Sequence, residues 1–105
     1  MTTKLIAGRT LEVDAEGYLL HSNEWNEEIA RAIALEEGLP ELGEGHWKVI
    51  HFMRKAFAQK GDGPSIRQLT KESGVDTKLL YQLFPKGPAK KAARIAGIPK
   101  PHGCI

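Results

Sequence analysis

A chain of 105 residues, 41% apolar and 27% charged with a formal net charge of +2, fits one soluble domain with a real core and is too short for two. No apolar run approaches the roughly 20 residues that cross a bilayer, and the stretch from Met1 to Gly17 has no apolar signal segment, so the chain is expected to stay in the cytoplasm. Its one cysteine, Cys104, excludes an internal disulfide.

In chain order the first elements are short strands. Leu5, Leu11 and Val13 alternate loosely with polar residues around a turn at Ala7 to Arg9, which predicts a hairpin over 4–13. Asp14 to Gly17 supplies a second turn and Tyr18 to Leu20 a third short strand, so a small antiparallel meander is expected. A helix follows, capped by Ser22, Asn23 or Asn26, with Glu24, Glu27 and Glu28 at its positive end, Ile29 and Ile33 on its inner face, and Gly38 to Pro40 as its stop. From about Glu44 to Lys60, Trp47, Ile50, Met53 and Phe57 recur with helical period beside Val49, Phe52 and Ala56, which predicts the longest helix and the centre of the core.

Gly61 to Pro64 breaks the chain, and Pro64 is placed to start a helix running to about Glu72. Ser73 and Gly74 turn it, Asp76 caps a further helix over 77–84, and Pro85 to Pro88 forms a loop into a basic helix over 88–96 that Gly97 closes. Pro99 and Pro101 cannot continue that helix and push the residues before them to extended backbone. The expected architecture is α+β, a small N-terminal antiparallel β-meander packed against an array of about five helices. A single globular unit is expected over residues 1–97, with a flexible C-terminal arm over 98–105 that carries the thiol.

Charge is distributed unevenly along the chain. Up to Gly45 ten acidic residues face Lys4, Arg9 and Arg31, whereas from His46 onward twelve basic residues face Asp62, Glu72 and Asp76. Such asymmetry marks a surface for an anionic partner, either nucleic acid or an acidic protein face, unless the two halves neutralise each other on folding.

The helices over 66–84 fit a helix-turn-helix pattern, with Leu69, Gly74, Val75, Leu80 and Leu83 at its packing and turn positions and Lys78, Tyr81 and Gln82 facing outward. That arrangement would suit DNA. Helical pairs with a glycine turn are common in small proteins, however, and Asp76 at the start of the second helix would repel phosphates. His46 and His51, five apart, fall on different faces of one helix and cannot share a metal; both are expected at solvent or edge positions. His102 and Cys104 lack further ligands, and no phosphate or dinucleotide loop is present, so neither a metal nor a cofactor is expected.

Cys104 is the one nucleophile on a projecting segment. A free thiol with pKa near 8.5 is only slightly ionised at neutral pH; Lys100 and His102 would favour its thiolate, as would Lys90, Lys91 and Arg94 if the arm folded back, while the terminal carboxylate opposes them. Gly103 removes bulk beside the sulfur. No base on a packed scaffold stands near it in sequence, so a partner would supply the other half of any reaction. On residue chemistry alone, a thiol without a role remains the alternative.

The runs EGYL (16–19), HW (46–47), LFPKGPAK (83–90) and IAGIPKPHGCI (95–105) together resemble the DsrC/TusE family of sulfur carriers over nearly the whole chain. The resemblance implies a compact α+β body and a penultimate cysteine, here Cys104, that accepts sulfur as a persulfide. In the sulfite-reductase branch a second cysteine stands eleven positions upstream; Ala93 occupies that place, so dithiol chemistry within the chain is not implied. The single-cysteine form is similar to the TusE branch, which takes sulfur from a complex of TusBCD or DsrEFH type and hands it to a tRNA thiolase making 2-thiouridine. Lys86, Lys90, Lys91 and Arg94 would then dock an acidic donor or acceptor face. A single-cysteine protein of dissimilatory sulfur metabolism, associated with sulfite reductase, is the alternative, and Gly103 is closer to that branch; a DNA-binding regulator is the more distant one.

Overall fold

The computed structural model describes residues 2–101; Met1 and the terminal residues His102, Gly103, Cys104 and Ile105 lie outside the described residues. Strands β1 (Thr2–Ile6) and β2 (Arg9–Val13) pair antiparallel, with Thr2 opposite Val13 and Ile6 opposite Arg9. Ala7 and Gly8, both at positive φ, join them in the two-residue turn whose twist matches the strands. The expected third strand shrinks to one bridge, Val13 with Leu19. Its shortness has a local cause: the Asp14 carboxylate accepts from the amides of Glu16 and Tyr18 at 2.9 and 3.0 Å, which winds the chain tightly. Ser22–Glu24 then forms a single helical turn.

Five helices follow: α1 (Glu27–Glu36), α2 (Glu44–Lys60), α3 (Ile66–Glu72), α4 (Thr77–Leu83) and α5 (Pro88–Ile95). Asn26 is the cap of α1, its side chain accepting from the Ile29 amide at 2.9 Å. Ser65 rather than Pro64 starts α3, in a reciprocal pair in which Ser65 Oγ accepts from the Gln68 amide and Gln68 Oε1 from the Ser65 amide. Asp76 caps α4 through the Leu79 amide at 2.8 Å. No helix among the described residues is long and apolar enough to cross a membrane.

The helix read from sequence as a basic tail is the hub of the body. α5 packs against each of the other four helices. Its Ala89, Ala92, Ala93 and Ile95 have no exposed surface, because alanines let neighbouring helices approach closely. α2 shares the centre through Val49, Ile50 and Met53 but leaves Trp47, Phe52 and Phe57 only partly covered. Ile29, Ile33, Leu69, Leu80 and Phe84 complete the core around α5.

The weights of core and cap are separable by denaturant unfolding. Phe84→Ala is expected to cost about 3–5 kcal/mol, and Asn26→Ala about 1 kcal/mol; similar costs for the two would contradict this placement of the core.

Candidate functional site at the root of the C-terminal arm

The end of α5 is built by a Schellman turn. The Gly97 amide donates to the Arg94 carbonyl at 3.2 Å and the Ile98 amide to the Ala93 carbonyl at 3.1 Å, with Gly97 in the left-handed region at φ +72. Here glycine is required twice over. Besides its φ, a Cβ on Gly97 would lie 2.4 Å from Trp25 Cδ1, inside the indole. Trp25 can lie this close because its Nε1 donates to the Ile95 carbonyl at 2.8 Å.

Arg54 of α2 closes the same joint. Its guanidinium sits 4.2 Å from the Trp25 ring centroid and donates to the carbonyls of Ala96 at 2.8 Å and Ser22 at 3.2 Å. Burial lowers its pKa, the sign expected for a cation drawn out of water. One side chain therefore ties the single turn at Ser22, helix α2 and the end of α5.

On the opposite side of α5, Arg94 lies over Gly17. Its Nη2 meets Glu36 at 2.8 Å, its Nη1 meets Glu37 at 3.5 Å, and its Nε donates to the Gly17 carbonyl at 3.3 Å. With a side chain only 12% exposed, Arg94 is a structural cation and not the free docking charge expected from sequence. The reason is tertiary, since Glu36 and Glu37 at the end of α1 face α5. Partial burial pushes Glu36 upward, but hydrogen bonds from Lys4 and Arg94 outweigh it and lower its pKa. Tyr18 donates to the Lys90 carbonyl at 3.3 Å, and its phenol is pushed up to about 12 by burial and then by Glu16, Glu37 and Asp14, with Arg94 opposing.

His46 is half-buried, at the edge of the body and not free in solvent. Its Nδ1 accepts from the Gly43 amide at 3.0 Å, which leaves the proton of the neutral ring on Nε2 to donate to the Leu83 carbonyl at 2.9 Å. Its ring also meets Phe84 edge-on at 5.2 Å. His46 thus joins the start of α2 to the end of α4, just before Lys86 and Gly87 turn the chain into α5. His51 is exposed and stacks on Trp47.

The arm does not leave the body at Gly97. Ile98 is fully buried, Pro99 is exposed, Lys100 meets Glu16 at 3.1 Å, and Pro101 is buried. Gly63 forms the floor beneath them: a Cβ there would meet Ile98 Cδ1 at 3.2 Å, Pro101 Cγ at 3.4 Å and the Pro99 carbonyl at 3.4 Å. The boundary expected after Gly97 is therefore not an end of packing, which continues to Pro101. Cys104, with His102 and Gly103, lies outside the described residues. Of the other residues singled out in the sequence, Lys86 and Lys90 are exposed and Lys91 is half-buried. Lys78, Tyr81 and Gln82 share the exposed face of α4.

Trp25 and Arg54 were missed by sequence reasoning, and Gly17 and Gly63 were read as turn or break residues without their packing partners Arg94 and Ile98. Gly97 carried a signal as a helix stop, but nothing local pairs it with an indole whose hydrogen bond spans 70 positions.

Gly97→Ala is expected to lose about 1–2 kcal/mol from the left-handed backbone alone, and more from displacing Trp25; a shift in tryptophan emission should accompany the loss. Unchanged stability and emission would contradict the contact. Raised in the folded state, the Tyr18 pKa makes stability full below pH 10 and declining as pH climbs toward about 12. An ultraviolet phenolate titration of wild type against Tyr18→Phe checks it, the wild type alone showing a component near pH 12.

The model of the family described as DsrC-like protein matches residues 5–105. A sulfurtransferase TusE homolog of Haemophilus influenzae is 46% identical over 95% of this chain and 97% of its own. Sulfurtransferase TusE of Pectobacterium atrosepticum is 45% identical over 93% of this chain and 95% of its own. Among solved structures, DsrC of Allochromatium vinosum superposes with a TM-score of 0.83 at 41% identity, covering 98% of this chain and 97% of that one. The oxidized gamma-subunit of the dissimilatory sulfite reductase of Archaeoglobus fulgidus, also DsrC, does so at 0.78 and 38%, covering 99% and 100%. With the match running to its last residue, this chain belongs to the DsrC-like protein family.

Proposed function

We propose that this protein is a sulfur carrier of the TusE kind, with Cys104 as the atom that carries the sulfur. The observation that carries this reading is the anchoring of the arm's root. Ile98 and Pro101 are packed against a rigid body, and the chain's one thiol follows three residues later, a span of at most about 11 Å. A body that fixes where the arm begins lets the partner find the thiol in a small volume.

The exchange is balanced without any outside oxidant. Cys104 thiolate attacks the outer sulfur of a donor persulfide; a new sulfur–sulfur bond forms on Cys104 as the donor's own bond breaks, and the donor leaves as a thiolate that takes up the proton Cys104 released. The sulfane sulfur keeps its oxidation state. An acceptor thiolate repeats the attack on the Cys104 persulfide and restores the free thiol. A single cysteine suits this role: with no second thiol, the chain cannot expel the sulfur by closing an internal disulfide.

Donor and acceptor are sulfur-relay proteins, and a complex of TusBCD or DsrEFH type as donor and a tRNA thiolase as acceptor fit the TusE kind. Of the basic residues assigned to docking, Lys86 and Lys90 remain exposed for it, whereas Arg94 and Lys100 are engaged with Glu36 and Glu16. DNA recognition has only the helical pair in its favour, and the Asp76 carboxylate at the start of α4 opposes a phosphate there.

Intact-mass measurement after treatment with a small-molecule persulfide is expected to add one sulfur atom to the wild type, removable by reductant, and none to Cys104→Ser. Sulfur retained by Cys104→Ser, or none on the wild type, would overturn the assignment.

A further inference from the structure

Helices α3 and α4 form an open groove of about 400 Å³, lined by Ile66, Arg67, Thr70, Lys71, Thr77 and Tyr81. Its volume lies toward the small end of the range for binding pockets. The two helices are tied across it by the hydroxyls of Thr70 and Thr77, 2.9 Å apart, so its width is set by a bond and not by packing alone. Tyr81, on the groove wall, is half exposed and offers its ring to a ligand.

The rim is positive. Arg67 and Lys71, both in the lining, are exposed, with no acidic partner found for them among the described residues. Lys48 brings its amine to the turn at Gly74, where a Cβ would meet it at 3.3 Å. Glu72 does not offset them in the groove, because it lines a separate cleft with Phe52, Ala56 and Lys60. Asp76 spends its carboxylate on the Leu79 amide.

The groove also lies close to the arm. Gly63 touches Ile98 and Pro101, and three residues later the chain reaches Ile66 on the groove wall, at most about 11 Å away. An ordinary interface of about 800 Å² per side covers both places. A protein holding the groove would therefore have the arm's root under it.

We propose that this groove seats an acidic segment bearing an apolar side chain, belonging to the donor protein from which Cys104 takes sulfur. The inference rests on the carrier role above. The apolar side chain would lie on Ile66 and Tyr81 while carboxylates meet Arg67 and Lys71, a pairing that sets encounter and register. A nucleic acid fits less well, since one ring, Tyr81, offers little stacking.

Binding of a purified TusBCD-type donor complex, measured calorimetrically on the Cys104→Ser form so that no sulfur moves, tests the seat. Arg67→Glu with Lys71→Glu, and separately Tyr81→Ala, should each raise Kd by about tenfold or more, with circular dichroism melting unchanged. Lys55→Glu, an exposed charge on α2, should change it far less. Equal Kd for the groove variants, or an equal loss with Lys55→Glu, overturns the proposal. Loss of tRNA binding in the groove variants with donor binding intact also overturns it, in favour of a nucleic-acid site. Failure of the carrier role reads out elsewhere, as no sulfur gained by wild-type Cys104 from the small persulfide, and leaves this binding comparison unaffected.

Discussion

The close approach of Trp25 to Gly97 is the constraint on which the rest of the structure depends. A side chain at 97 would occupy the space of the indole, and the indole is held there by its bond to the Ile95 carbonyl and by Arg54 above it. That contact fixes where α5 stops. The Schellman turn then sends Ile98 back into the core instead of outward, and Gly63 receives Ile98 and Pro101. The direction of the arm is thus decided by packing well before the thiol.

Charge serves the same end. The asymmetry between the halves of the chain is partly consumed inside the fold, since Arg94 meets Glu36 and Glu37, and Lys100 meets Glu16. Arg94 itself is mostly shielded from water while Glu36 is 35% exposed, and the cluster joins α1, α5 and the loop at Gly17. The Lys100 pair is more exposed and correspondingly weaker, a contact that a docking partner can displace at small cost. From His46 onward, the exposed positive charge with no ion pair among the described residues is spread over α2 (Lys48, Lys55, Lys60), α3 (Arg67, Lys71), α4 (Lys78) and the entry to α5 (Lys86, Lys90).

Local signals made most element boundaries legible. Asn26 and Asp76 act as caps, Gly61 and Gly97 as stops, and Pro88 opens α5, whereas the cap of α3 is Ser65 and not the expected Pro64. What was not legible depends on distant partners. A lysine- and arginine-bearing helix reads as a docking surface, and only the fold shows that its buried Ala89, Ala92 and Ala93 belong to a helix packed against four others. The proline-broken stretch after Gly97 reads as loose, yet extended backbone packs as well as helical backbone when an apolar residue such as Ile98 is offered a glycine floor. The runs EGYL and HW were recognisable as part of a family pattern before their physical reasons were visible: Gly17 lies under Arg94, Tyr18 bonds to Lys90, and His46 links α2 to Leu83.

A carrier needs a fixed base, a short tether and a thiol that surrenders its cargo only to another protein. In the proposed role the body through Pro101 supplies the base, and the lack of a second cysteine the restraint. A pulse–chase with radiolabelled sulfur on the donor, followed by unlabelled donor and acceptor, tests that role most directly. Label that appears on Cys104 in a reductant-labile form and then passes to the acceptor at the rate it leaves Cys104 is the expected result. Label reaching the acceptor without passing through Cys104, or remaining on Cys104 throughout the chase, would contradict it.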